Sequence, residues 1–182
     1  MKVSEFVKKY QTSFSNATES QISAFIKKHI AKTYIPYEAK ISIASNIVKY
    51  TMYKEVNGRK IFATNSVLQY MFFVQSVIDN YTDLEWDKNE DGTTNITEGF
   101  NLLEENNLVG LICDVIGTDV DRLSTVIKLV VEDEMNNNRS IVGYLDSKYE
   151  AVAMVINTFI DAIDSPIIKD KLTEIISSNN AE

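Results

Sequence analysis

Apolar residues recur at steps of three and four almost from end to end of this chain, the spacing that lines one side of an α-helix. A short first helix is predicted around Ser4 to Tyr10. From about Ser20 to Ala31, residues Ile22, Phe25, Ile26, His29 and Ile30 fall on one face, and after Pro36 a third helix from Tyr37 to Met52 brings Ile43, Ile47 and Tyr50 into register. Then the period changes. The run YKEVNGRKIF, Tyr53 to Phe62, places Asn57-Gly58 between two short extended stretches, and that dipeptide favours the tight turn of a β-hairpin. A two-stranded ribbon does not bury itself, so it must lie on helices or on a neighbour.

Beyond the hairpin the helical period returns. Asn65 or Ser66 is positioned to cap a helix reaching Tyr81 that is apolar almost all round, a pattern that calls for cover by neighbours or by a partner. Further helices are expected from Asn95 to Glu105, from Asn107 to Ile116 with Gly117 as its stop, and from Thr118 to a frayed end at Asn136 to Asn138. Ser140 to about Ile163 reads as the longest helix. Ser165-Pro166 then opens a last one that ends near Ser177. The predicted fold class is all-α: a single helical domain over residues 1–182, of about eight or nine helices, with one small β-hairpin at about Tyr53–Phe62.

Composition agrees with that picture and narrows the setting. At 182 residues and 45% hydrophobic, the chain is long enough for one sizeable core, and two prolines with six glycines leave little punctuation for an all-β fold. Cys113 is the only cysteine, which excludes an intrachain disulfide and a thiolate metal centre. No signal-peptide pattern opens the sequence, and the most apolar stretch, Val67 to Ile78, falls short of a membrane span, so secretion by signal peptide and membrane partners are not expected. Charge is divided unevenly. Residues 1–60 carry eleven Lys or Arg against four Asp or Glu, while residues 61–182 carry seven against twenty-two. A basic subregion followed by an acidic remainder suits head-to-tail self-association or docking between opposite charges; charges that merely solvate a mixed surface would look the same in sequence.

The most explicit chemical motif is DKNEDGTTNITE, Asp87 to Glu98, which meets the EF-hand calcium-loop pattern at each position that pattern names. Asp87, Asn89 and Asp91 would face one cation. Gly92 would permit the sharp turn, and the Thr93 carbonyl, a water held near Asn95 and both oxygens of Glu98 would complete the oxygen shell that Ca2+ takes. A polar connection between two helices explains the same residues without metal, since Asn95 would cap the next helix and Glu98 would reach back to it. Asp83, Thr94 and Gly99 stand where EF-hands normally carry apolar side chains.

Signatures of catalysis are missing. His29 is the sole histidine, and a dyad with Cys113 would require two helix residues to meet in a tuned pocket; His29 at a polar edge of the core and Cys113 as a small core thiol account for both. No phosphate-cradling glycine loop occurs, and no enzyme is expected. Glu132, Asp133 and Glu134 form the densest acidic cluster, near the expected C-terminal end of a helix, where the dipole disfavours negative charge and invites a cationic partner. With Asn57, Gly58, Arg59 and Lys60 of the hairpin they make the candidate protein interface. Lys27, Lys28, Lys32 and Lys40 interleave poorly with aromatic residues, so specific nucleic-acid recognition is not expected.

The phrases YIPYEAK, YTMYKEVNGRKIFATNSVLQYMFFVQSVIDNYTDLEW and EGFNLLEENNLVGLI resemble a group of small helical proteins that tailed bacteriophages and prophages of low-GC bacteria encode among virion-morphogenesis genes. The resemblance runs from about Tyr34 to Tyr149. It implies a non-catalytic virion structural or assembly protein of the head-tail, neck or tail region that contacts other virion or assembly proteins and forms a homo-oligomer. It would reside in the host cytoplasm during assembly and then in the virion. Two other readings stand beside it: an acidic regulator that mimics nucleic-acid charge, and a calcium-binding interaction module built on the lone EF-hand-like loop.

Overall fold

A computed structural model describes residues 1–14 and 17–139, together with Tyr149 and Val152. Length argued for one domain over residues 1–182; by its contacts the chain divides into two compact units, Met1–Glu134 and Met135–Glu182, and the boundary does not coincide with the change of charge near residue 60. The helices expected at Ser140 to Ile163 and at Ser165-Pro166 to Ser177 lie outside the described residues.

Among the described residues the order is α1 (Val3–Ser13), α2 (Glu19–Lys27), α3 (Tyr37–Thr51), β1 (Tyr53–Val56), β2 (Arg59–Phe62), α4 (Ser66–Tyr81), α5 (Ile96–Glu105), α6 (Leu108–Ile116) and α7 (Thr118–Arg139). Local signals set most of the boundaries. Gln21 accepts the Thr18 amide at 3.0 Å at the start of α2, and the Asn65 side chain accepts the Leu68 amide at 3.0 Å to cap α4. Gly117, at φ +81°, turns the chain out of α6 with its amide on the Cys113 carbonyl. The hairpin forms as predicted: Asn57 and Gly58 both adopt positive φ, and Tyr53 pairs with Phe62, Lys54 with Ile61, Glu55 with Lys60, and Val56 with Arg59.

Three helices differ most in extent from the sequence reading. α1 extends at both ends of the predicted segment, and α2 stops at Lys27, so that His29 and Ile30 follow it in a turn. α7 does not fray at Asn136 to Asn138 but stays helical to Arg139. That change matters for Glu132, Asp133 and Glu134, which lie inside the helix, away from the end where the dipole would penalise them.

The core of the first unit gathers Val3, Phe6 and Val7 of α1, Phe25 and Ile26 of α2, Val77, Ile78 and Tyr81 of α4, and Leu103, Leu108, Ile112 and Leu123 farther on. Phe25 stacks on Phe14 with ring centroids 4.4 Å apart and on Phe6 at 5.0 Å. The apolar surround of α4 is only partly covered. Its C-terminal half is buried at Val74, Val77, Ile78 and Tyr81, whereas Val67 is 74% exposed and Tyr70 46%.

Candidate docking surface

Three groups of polar side chains were candidates for function, and they have different fates. In the acidic loop, α4 has already ended at Tyr81, six residues before Asp87, so no helix leads into the loop as an EF-hand requires. Asp87 turns toward α1 instead: its carboxylate accepts the Ser4 amide at 2.9 Å and the Ser4 hydroxyl at 2.7 Å, satisfying donors in the first turn of that helix. Asp91 accepts the amide and hydroxyl of Thr93, which hold its carboxyl below the usual range. The Asn89 side chain donates to the Thr93 hydroxyl, and the Thr93 carbonyl accepts the Asn89 amide.

Asn95 caps α5 through the Glu98 amide at 3.2 Å, and Glu98 accepts the Asn95 side-chain amide at 2.6 Å. Half of the expected capping box is therefore present; the Asn95 backbone amide bonds the Asp87 carbonyl instead. Asp87 is thus engaged with Ser4, Asn89 and Asp91 with Thr93, and Glu98 with Asn95. Among the described residues no group of three or more acidic, histidine or cysteine side chains is placed to hold a metal ion. Gly99, where EF-hands carry a large apolar residue, sits against the Trp86 ring; a Cβ there would lie 2.8 Å from it. As arranged, the loop is a connection.

The second group went unnoticed in the sequence. Lys40 and Asp119 are both buried and meet at 3.0 Å, and Asp119 also accepts the Ile35 amide at 3.0 Å and the Tyr81 hydroxyl at 2.8 Å. Lys40 donates as well to the Ile35 carbonyl at 2.5 Å, with its ammonium 4.7 Å from the Tyr34 ring. Burial opposes charge on Asp119, yet the Lys40, Ile35 and Tyr81 hydrogen bonds and the Lys40 charge together hold its carboxyl below the ordinary value. Tyr81 moves the other way, raised by burial and by the same carboxylate. An enclosed ammonium with its acceptors in place is a clamp between α3, α4 and α7, and it leaves no free nucleophile. One signal was readable: Lys40 shares a helical register with buried Ala44, Ile47 and Thr51.

His29 and Cys113 have ordinary surroundings. The His29 ring nitrogen Nδ1 is 2.9 Å from Asp83, at the edge of the Phe6 and Phe25 rings. Cys113 is half-buried on α6, and burial, then the charges of Asp114, Asp121 and Glu104, push its thiol up to about 11. At neutral pH the Cys113 thiol therefore stays protonated.

The third group is the hairpin, where several side chains face outward. Asn57, Lys54 and Lys60 are exposed, and Gly58 and Arg59 complete the turn and the start of β2. Lysines lie against aromatic rings here: the Lys60 ammonium is 4.2 Å from the Tyr53 ring centroid across the hairpin, and that of Lys49 is 5.4 Å from the ring of its sequence neighbour Tyr50. Tyr50, 57% exposed, stacks on Phe72 of α4. Between the end of α3, β1 and the start of α4 runs a shallow depression of about 490 Å³ bordered by Tyr50, Tyr53, Lys54 and Val67. A second, of about 370 Å³, continues past Lys49, Lys54 and Lys60.

Of the acidic cluster, Glu134 joins this surface, accepting a hydrogen bond from the Tyr53 hydroxyl. Glu132 and Asp133 are exposed on α7, Glu132 with Lys128 at 3.9 Å. An apolar centre within a cationic rim, open to solvent, is the anatomy of a protein docking surface. Compared with known protein families, curated proteins and solved structures, the chain matches none.

Proposed function

We propose that this chain is a non-catalytic structural or assembly protein of a bacteriophage virion that works through protein–protein contacts made by the hairpin and the uncovered start of α4. The observation that carries the reading is the outward-facing set of Val67, Tyr50 and Ile61 with Lys49, Lys54 and Lys60 around it. Burying such aromatic and aliphatic anchors yields most of the energy of a typical interface, while a charged rim steers approach and sets register. The resemblance of its phrases to phage morphogenesis proteins is what suggests the setting. In this reading the chain is present in the assembling head-tail, neck or tail region and is homo-oligomeric.

Immunodetection of the chain in purified particles and assembly intermediates, from cells making the wild type or Val67→Asp, tests the reading. Wild-type chain should be found there and the variant should be excluded while still folding. Absence of the wild type from both fractions, or full incorporation of the variant, would overturn it.

A further inference from the structure

We propose that the hairpin surface receives the acidic end of a second copy of this chain, so that copies join head to tail. The inference rests on the reading of that surface as a docking site and adds the identity of its occupant. Residues 49–60 carry Lys49, Lys54, Arg59 and Lys60 against Glu55 alone. Residues 83–98 carry six carboxylates against Lys88, and all but Asp87 of those carboxylates belong to exposed residues.

The hairpin adjoins the start of α4, whereas the acidic segment leaves the end of that helix and then returns alongside it, where Ile96 and Thr97 border Leu68, Met71 and Phe72. β2 ends four residues before α4 begins, and the acidic segment starts two residues after α4 ends. Sixteen residues of α4 lie between them along the chain, or about 24 Å of helix at 1.5 Å per residue. The helix macrodipole adds to the separation of charge, since its positive end lies toward the hairpin and its negative end toward the start of the acidic segment. Within the described residues the ion pairs join His29 to Asp83, Lys40 to Asp119 and Lys128 to Glu132, so none links the hairpin lysines to the acidic segment of the same molecule.

Each surface therefore has its complement on the same chain, and among the described residues no ion pair joins the two within one molecule. Another copy supplies it. Because the two surfaces are different, the contact is heterologous, and its repetition closes into a ring or extends as a filament according to the rotation between neighbours. Val67 and Tyr50 would be covered at the centre of the joint, with the charges around them.

Sedimentation velocity of the full chain over a range of concentration and salt provides the test. Association is expected at low ionic strength and should weaken as salt rises. Lys54→Glu/Lys60→Glu and Glu85→Lys/Glu90→Lys, all at exposed positions, should each be monomeric with unchanged circular dichroism. Mixed together they should associate again, because each variant brings one intact surface that the other complements.

Three results would overturn the proposal: a wild type monomeric at every concentration and salt, association lost in the hairpin variant but untouched in the acidic one, or a mixture that stays monomeric. In all three cases the particle-incorporation experiment is read separately. Exclusion of Val67→Asp from particles would then assign the hairpin surface to a different protein, whereas its full incorporation would end the docking reading itself.

Discussion

The acidic loop and the basic hairpin are both short, charged, Asn/Gly-bearing connections, yet they use their side chains in opposite ways. In the loop, Asp87 holds the start of α1, Asp91 and Asn89 close on Thr93, and Asn95 with Glu98 starts α5. In the hairpin, the turn is satisfied by the backbone ladder, and the lysines lie over tyrosine rings at the surface. The difference teaches that a motif match lists groups able to do chemistry, while the structure decides whether those groups are still uncommitted. The loop matches a ligand pattern and has its oxygens engaged; the hairpin matches none and has its cations turned outward.

The contrast between inward and outward charge is broken most severely at Lys40. Replacing it by Met strands Asp119 in the core, and urea unfolding should show a loss of about 3–5 kcal/mol, as for other broken buried pairs; a loss below about 1 kcal/mol would show that the clamp is expendable. The same network predicts a pH dependence. Asp119 has a folded value below its unfolded one, so its contribution is full above the unfolded value and is lost as pH falls through the folded one. Asp119→Asn should therefore be much less stable than wild type at neutral pH, and the gap should close in acid.

A smaller effect is expected where the loop meets the core. Gly99→Ala pushes a methyl group against Trp86 and should cost about 1–3 kcal/mol, as overpacking does, with a change in the near-ultraviolet dichroism of the single tryptophan. Asp87→Ala and Asn95→Ala each remove a helix cap and should cost about 1 kcal/mol, independently of calcium. A saturable calorimetric heat at millimolar Ca2+ that disappears in Asp87→Ala would reverse the comparison, making the loop the ligand site. The smallest effect belongs to Lys54→Glu alone, whose Tm should match that of the wild type, because an exposed side chain outside special features contributes little to stability; adding Lys60→Glu, which faces Glu55 across the hairpin and leaves the Tyr53 ring, should lower it slightly. A drop comparable to that of Asp87→Ala would mean that the hairpin, too, is pinned to the fold.

How much of this was readable follows the distance over which each feature acts. Asn57-Gly58, Asn65, Asn95 and Gly117 act on neighbours within four residues, and the hairpin and helix boundaries they mark are found in place. Ser4 and Asp87 are 83 positions apart, and Lys40 and Asp119 are 79 apart. No local pattern announces such partners. Lys40 carried the one usable hint, a cation in the register of buried residues, which demands a counter-charge without naming it. The arrest of burial halfway along α4 is likewise tertiary, since its periodicity called for cover without saying how far the neighbours supply it.

The bond from Ser4 to Asp87 also orders events during biosynthesis. α1 is made long before the residue that satisfies its first turn, and at roughly 5–20 residues per second the intervening chain takes about 4–17 s to appear. Throughout that interval Val3, Phe6 and Val7, each at most 2% exposed in the finished protein, lack the cover that α5 supplies to α1. The nascent chain must therefore carry a bare apolar stripe for seconds, and slowing translation upstream of codon 87 should raise its demand on chaperones.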